Sequence, residues 1–388
     1  MLEGIHFAWV VVLALGTTGV GPKVVAQQPQ DELNRWLGGV WEAARDKRLD
    51  VCLRMELRLV HLFVPPAAEL EKLRHDVKIH PQHEGLPRLK EYDRVLAGKP
   101  YTVRTRVWAC GGDWRSSTDH TNGQMGEYWM DDCVAGERMW CLRQDSLVRV
   151  DTRREHPDFY DYRKHTPGVA SQVWSFATGG LTLVNVNDMP TPRASLRGES
   201  WEAVSTTPGG AKWPRVVRLA GTWDAEARTG TITAVRWRVI GSLDEGTDLF
   251  SDSWREASPF KGLVAGRIRE VTPAGRPDRE FILIECEAVE KSEARRIMET
   301  PRAGGVDPVR GATTFHAIHD FTGSEGVIVR TGVDGRTLTA PFDQGKTHAQ
   351  TSLRRAGWWT AGALLCSLVL LKARRLVKEK QCGVEGSR

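Results

Sequence analysis

Residues 48–59 read Arg48-Leu49-Asp50-Val51-Cys52-Leu53-Arg54-Met55-Glu56-Leu57-Arg58-Leu59. Leu49, Val51, Leu53, Met55, Leu57 and Leu59 alternate with Arg48, Asp50, Cys52, Arg54, Glu56 and Arg58. Successive side chains of a strand point to opposite faces, so period two over twelve residues predicts a long half-buried strand. Leu, Met, Arg and Glu each favour helix on their own; the pattern rather than the propensity decides. Pro65 and Pro66 end the strand.

Upstream the period changes. Leu33, Trp36, Leu37, Val40, Trp41 and Ala44 recur at helical spacing, which predicts an amphipathic helix over 31–46 with Asp31 as its N-cap. Gly38 and Gly39 weaken it by roughly 1 kcal/mol each. Downstream, Ala67 to His75 and Leu86 to Leu96 read as helical, giving an insertion over 65–98. Strand patterns then resume. Tyr101, Val103, Thr105 and Val107 oppose Thr102, Arg104, Arg106 and Trp108. Asp113-Trp114 follows a Gly111-Gly112 turn. Tyr128 to Val134 and Glu137 to Leu142 form a hairpin around Ala135-Gly136, and Ser146 to Asp151 adds a strand. Residues 152–180 read as irregular.

Three further hairpins are predicted. Arg215 to Trp223 turns into Gly230 to Ile240 across Asp224–Thr229. Leu263 to Val271 turns into Arg279 to Ala288 across Thr272–Asp278. Thr313 to Phe321 precedes Gly326 to Arg330. Sequential hairpins of long strands predict an antiparallel meander, not a parallel sheet. The expected fold class is α+β, mainly antiparallel β meander, as a curved sheet or half-barrel. It carries an N-terminal amphipathic helix, a small helical insertion and one C-terminal transmembrane helix.

The two ends set the expected topology. Phe7 to Leu15 is an apolar run of signal-peptide length, and Val24 and Ala26 place small residues before a cut at Gln27. Residues 1–26 therefore read as a signal peptide, or as an uncleaved anchor, since the leading segment holds Glu3 and no cation. Residues 356–371 carry sixteen uncharged positions between Arg355 and Lys372, with Trp358 and Trp359 at one end. Lys372, Arg374, Arg375, Lys378 and Lys380 belong on the cytoplasmic side by the positive-inside rule. The expected arrangement is a β-rich extracytoplasmic domain over 27–340, a polar stalk over 341–355, a single membrane helix and a basic tail over 372–388.

The 388 residues carry a net charge of +5 with no basic block before that tail, which argues against nucleic acid as a partner. Seven cysteines occur, five of them in the exported part: Cys52, Cys110, Cys133, Cys141 and Cys286. An odd number leaves at least one without an intrachain partner, and no pairing is assigned. A two-residue turn at Ala135-Gly136 would put Cys133 opposite Arg138 and keep Cys141 out of register. There is no CxxC pair of the zinc-knuckle or thioredoxin kind.

An exported chain with one amphipathic helix, one long strand and successive long hairpins resembles the LolA/LolB-like fold of lipoprotein-carrier domains. Val134-Ala135-Gly136-Glu137-Arg138-Met139-Trp140 is similar to that family's hairpin of Gly, charge and aromatic, and Asp224 to Gly230 to a second turn. The resemblance covers residues 31–290 by element order. It implies a curved antiparallel sheet wrapped about a helix, with an apolar groove. The insertion at 65–98 and the C-terminal anchor depart from the family, so a shuttling role is not implied.

No catalytic motif stands out: no GxSxG elbow, no phosphate-binding loop, no GxGxxG after a strand. Asp131 and Asp132 are adjacent and cannot both face one cleft. His316 and His319 sit three apart in a strand pattern, on opposite faces. His75, His80 and His83, beside Glu84, are the one loop cluster that a metal could gather. No cofactor is expected. The remaining signal is apolar: Val217, Leu219, Val235, Trp237 and Val239 share a face if the hairpin is in register, with Val103, Val107, Trp129 and Trp140 as further lining. They either grip the 31–46 helix or line a groove for a lipid, lipoprotein or hydrophobic peptide. The chain thus reads as a membrane-tethered, non-enzymatic binding module. The alternatives are a surface interaction protein without a small ligand and an unrecognised hydrolase.

Overall fold

A computed structural model describes residues 22–46, 51–80, 82–123, 126–143, 146–151, 166–209, 213–242, 245–260, 262–302, 305–312, 317–321, 327–331 and 337–341. Residues 1–21 of the expected leader, all but the first residue of the stalk, the 356–371 span and the tail lie outside them. Among the described residues, no helix is long and apolar enough to cross a membrane.

The decisive stretch forms β1, Leu53–His61, with Leu53, Met55 and Leu57 buried on one face. On its far side Glu56, also buried, accepts from Arg104 at 2.7 Å, so the carboxylate is compensated where it sits. The 65–98 insertion folds as α2, Ala67–Ile79, and α3, Leu86–Leu96. The chain then runs β2 (Thr102–Cys110), β3 (Asp113–Gly123), β4 (Gly126–Ala135), β5 (Arg138–Arg143) and β6 (Ser146–Asp151), each antiparallel to the last. A second meander follows: β7 (Ala194–Arg197), β8 (Ser200–Thr206), β9 (Arg215–Asp224), β10 (Thr229–Val239), β11 (Gly246–Asp252), β14 (Arg267–Val271) and β15 (Pro277–Ala288). β12 (Arg255–Glu256) and β13 (Leu263–Val264) pair outside it. The meanders join where β15 lies against β1. Past α5 (Lys291–Ile297) and the small pair β16 (Val306–Asp307) and β17 (Gly311–Ala312), the hairpin β18 (Ala317–Phe321) and β19 (Val327–Thr331) continues into β20 (Thr337–Pro341).

Five expectations need correction, and one pairing left open is filled. β18 joins β6 in parallel, because the chain reaches that edge by a crossover through α5 rather than by a hairpin. Residues 166–177, expected to be irregular, form helix α4. Val169, Ala170, Val173 and Phe176 recur at i, i+1, i+4 and i+7 and are all buried, so one stripe is apolar. Helix α1 runs from Pro22 to Asp46, which places Asp31 inside it rather than at its cap. The β4–β5 turn is Gly136-Glu137, since Gly136 takes the left-handed φ of 57° that such turns demand. That shift by one residue sets Cys133 opposite Trp140. Leu263-Val264 leaves the third hairpin to pair with Arg255-Glu256. Finally, Cys52 and Cys110 form a disulfide, being brought side by side by the Leu53↔Ala109 register of β1 and β2.

Two buried clusters lie on opposite sheet faces. On the concave face Leu33, Leu37, Trp41 and Ala44 of α1 and the α4 stripe pack against strands from both meanders, so the sheet curls about the two helices. Trp36 contacts Trp201 and Trp223 at 5.8 and 6.0 Å between ring centres and also leans on Gly230, where a Cβ would come within 2.8 Å of the indole. On the convex face Trp108, Trp140, Leu142 and Leu147 are roofed by Ala294, Ile297 and Met298 from the α5 segment.

Candidate functional site

The predicted groove residues divide between the two faces. Leu219 pairs with Val235 and Val217 with Trp237, so these four share the concave face as the hairpin register requires, and half-buried Val239 continues it beside Arg215. Val103 and Val107 of β2 point the same way. Trp129 and Trp140 do not. Both face the convex side, where the Trp140 indole N–H donates to the Met298 carbonyl at 3.2 Å and Arg310 lies over the Trp129 ring.

The middle of the concave face is sealed, while Trp237 and Val239 towards one end stay half-buried. Val107, Val217, Leu219 and Val235 are exposed by 2% or less, and Leu33, Leu37, Trp41, Val173 and Phe176 opposite them by 0%. A wall bordering an open groove retains accessible surface, and these residues retain almost none. Side-chain packing has consumed the space that an acyl chain would need.

Space remains at one end of the strands. β1 ends at His61, Tyr101 precedes β2, and His120 and Tyr128 lie where β3 meets β4. Their rings stack across the sheet: His61 on Tyr101 at 4.7 Å and His120 on Tyr128 at 4.0 Å between centres. The Tyr101 hydroxyl meets His120 Nδ1 at 2.5 Å. Burial, and then Tyr128, push the Tyr101 phenol up to about 12. Burial lowers His120. It also lowers His61, against the opposing pull of Glu91. Burial thus favours the neutral forms of His61, His120 and Tyr101.

Beside it a cavity of about 380 Å³ opens between the start of β11 and the β14–β15 turn, lined among others by Gly246, Thr247, Glu270, Thr272, Arg276 and Asp278. The Leu62 N–H donates to the Asp278 carbonyl at 2.8 Å, which ties this turn to the end of β1. Phe63 contacts Tyr92 of α3 at 6.0 Å, so the helical insertion closes the same corner. Burial raises the Glu270 acid even though Arg279 bonds it at 3.0 Å. The volume falls in the range of small-ligand sites, roughly 300–1,000 Å³.

Solved structures similar to this chain include the following two. One is a domain named for outer membrane lipoprotein sorting from Vibrio parahaemolyticus, 10% identical, with 66% of this chain and 95% of that one covered at a TM-score of 0.31. The other is a DUF1329 family protein from Desulfovibrio piger ATCC 29098, 9% identical, with 66% of this chain and 94% of that one covered at a TM-score of 0.30. No protein-family model and no curated protein matches the chain.

The remaining candidates do not converge. His83 Nδ1 accepts from the Gly85 N–H at 3.0 Å, and His75, His80 and His83 do not gather; among the described residues no three metal-ligating side chains do. Asp131 is buried in ion pairs with Arg115 and Arg310. The aromatic ladder and the Arg276 cavity gave no sequence signal of their own. Each draws on residues far apart in the chain, and only the strand registers bring them together.

Proposed function

We propose that this chain is a membrane-tethered extracytoplasmic module, non-enzymatic, that takes an apolar peptide or the peptide part of a lipoprotein at the open strand-end rim. The sealed middle of the concave face carries the choice of a peptide over an acyl chain. Export is supported by the Cys52–Cys110 disulfide, a bond that persists in oxidising compartments, and by the apolar leader over 1–26. The tether is the 356–371 span between its flanking cations.

Native mass spectrometry of the full-length chain, released gently from detergent, tests the reading. The expected result is a lipid-free mass. A one-to-one lipid adduct that is lost when Val235→Trp overfills the concave face would overturn it. A tag on Arg388 should resist protease added to intact cells, and cleavage there would remove the tether.

A further inference from the structure

His120 resists protonation where it stands. Its Nδ1 meets the Tyr101 hydroxyl at 2.5 Å, and its Nε2 is buried without a hydrogen-bond partner. The neutral ring carries one N–H, and the Tyr101 oxygen can receive it. An imidazolium carries two, and the one on Nε2 would face neither an acceptor nor water. Tyr128 stacks on the ring at 4.0 Å and Tyr101 at 6.0 Å between centres, which holds it in place. Nearby charges do not supply the missing acceptor. Asp119, which favours a proton on His120, is bonded by Arg106 and Arg310 on the other sheet face. Glu91 of α3, with Asp278 and Arg279 of β15, acts on His61 instead.

The same contact holds the helical insertion. The Tyr101 ring packs against Gly123, where a Cβ would lie 3.2 Å from it. Asn122 and Gly123 offer their carbonyls to Arg94 of α3 at 2.6 and 2.8 Å. Besides the Phe63–Tyr92 contact, the insertion has little further grip: Leu70 is the buried residue of α2 and Leu89 that of α3. We infer that Tyr101, His120 and Arg94 form an acid-sensitive latch, in which a proton on His120 parts it from Tyr101, unseats the end of β3 and frees α2 and α3 from the rim. His120 lies below its ordinary 6.5 while the latch is closed and returns to that value once it opens, so proton uptake pulls the latch open as pH falls from 6.5. His61 is a poorer trigger, because its cation would gain Glu91 as a partner. The device holds whatever the rim binds, and it uncovers the rim in acid.

Amide exchange of the full-length chain in detergent is followed at pH 7.5 and pH 5, each rate referred to that of an unstructured peptide at the same pH. Protection of α3 and of the end of β3 should fall by about tenfold or more, as one proton taken up over a pH unit or more allows, with β9 and β10 unchanged. His120→Gln keeps a neutral side chain that can still donate to Tyr101, and it should hold α3 equally at both pH values. Tyr101→Phe removes the bond, so α3 should be loose already at pH 7.5. Unchanged protection of α3 in acid, or a loss shared equally by β9 and β10, overturns the inference. So does a pH response that survives His120→Gln, or a Tyr101→Phe chain that keeps α3 protected at pH 7.5. The contrast between α3 and β9–β10 is read on the unaltered chain, so a misfolded variant does not spoil it.

Discussion

Arg115 and Asp307, 192 residues apart, meet through two parallel bonds of 2.9 and 2.8 Å with both side chains out of solvent. Arg115 also pairs with Asp131, which Arg310 bonds at 2.8 and 2.7 Å, and Arg310 reaches on to Asp119. The N–H groups of Val309 and Arg310 fill the remaining Asp307 capacity at 2.9 and 2.7 Å. Trp140 lies under Arg115 at 4.9 Å and Trp129 under Arg310 at 4.5 Å. This network clamps the segment after α5 to the convex face. Asp307→Ala should cost about 3–5 kcal/mol in urea unfolding, since a buried guanidinium then loses its fork partner. A change below about 1 kcal/mol would show that the clamp is dispensable. Burial works to raise the Asp307 acid, and the Arg115 bonds outweigh it, so the acid lies below its ordinary 3.8. The clamp is then intact above that value and is lost as pH falls through the lower native one.

The ladder histidines predict a different window. Both are lowered from 6.5 by burial. Below pH 6.5 the unfolded chain takes up protons that the folded one refuses, so stability drops as pH falls from there through the native values. A His61→Gln, His120→Gln double variant should flatten that part of the stability–pH curve, measured by denaturant midpoints from pH 7.5 to 5. An unchanged slope would mean that the ladder is not buried in its neutral form.

Strand β7 is a sheet edge, and α1 covers it. Gln30 donates to the Ala194 carbonyl at 2.6 Å and accepts from the Leu196 N–H at 3.0 Å, while Asn34 accepts from the Ala194 N–H at 2.8 Å. Side-chain amides stand in for a missing neighbour strand and blunt an edge that would otherwise recruit one. Gln30→Leu should cost about 2 kcal/mol, from two backbone groups left without partners. It should also promote self-association, seen by light scattering of the detergent-solubilised chain. A monodisperse variant of unchanged stability would refute this role.

Much of this architecture was legible in the residues. Period two over 48–59 located β1, which starts only at Leu53, helical spacing over 31–46 located the helix that fills the sheet, and the long hairpins of β9–β10 and β14–β15 followed from their turns. β3 was hidden beyond Trp114, because Arg115-Ser116-Ser117-Thr118-Asp119-His120 carries no apolar face; its buried side is ionic. Helix α4 hid because a stripe of four positions in twelve residues is too short to stand out from loop composition. Trp129 and Trp140 look like groove lining by residue type, yet face selection follows strand parity: Val103 pairs through His120 with Tyr128, which puts Trp129 on the other face, and Trp140 shares that face through Cys133. The Tyr101–His120 contact was unreadable for a deeper reason: its rings meet only in the assembled fold.

The Cys52–Cys110 bond closes a loop with a sequence separation of 58, which spans the whole 65–98 insertion. In the chain-entropy picture a loop of that length constrains the unfolded state by roughly 4 kcal/mol. The insertion hangs from the sheet between the two bonded strands, and Phe63 and Tyr92 carry it to the rim. The bond itself sits at the other end of β1 and β2, beside the Leu53↔Ala109 pair, so it acts on the unfolded chain and on that end rather than on the rim. Cys52→Ser with Cys110→Ser should lower stability by a few kcal/mol and speed amide exchange across both meanders alike. Acceleration confined to α2, α3 and the rim would instead mean that the bond braces the insertion in the folded chain.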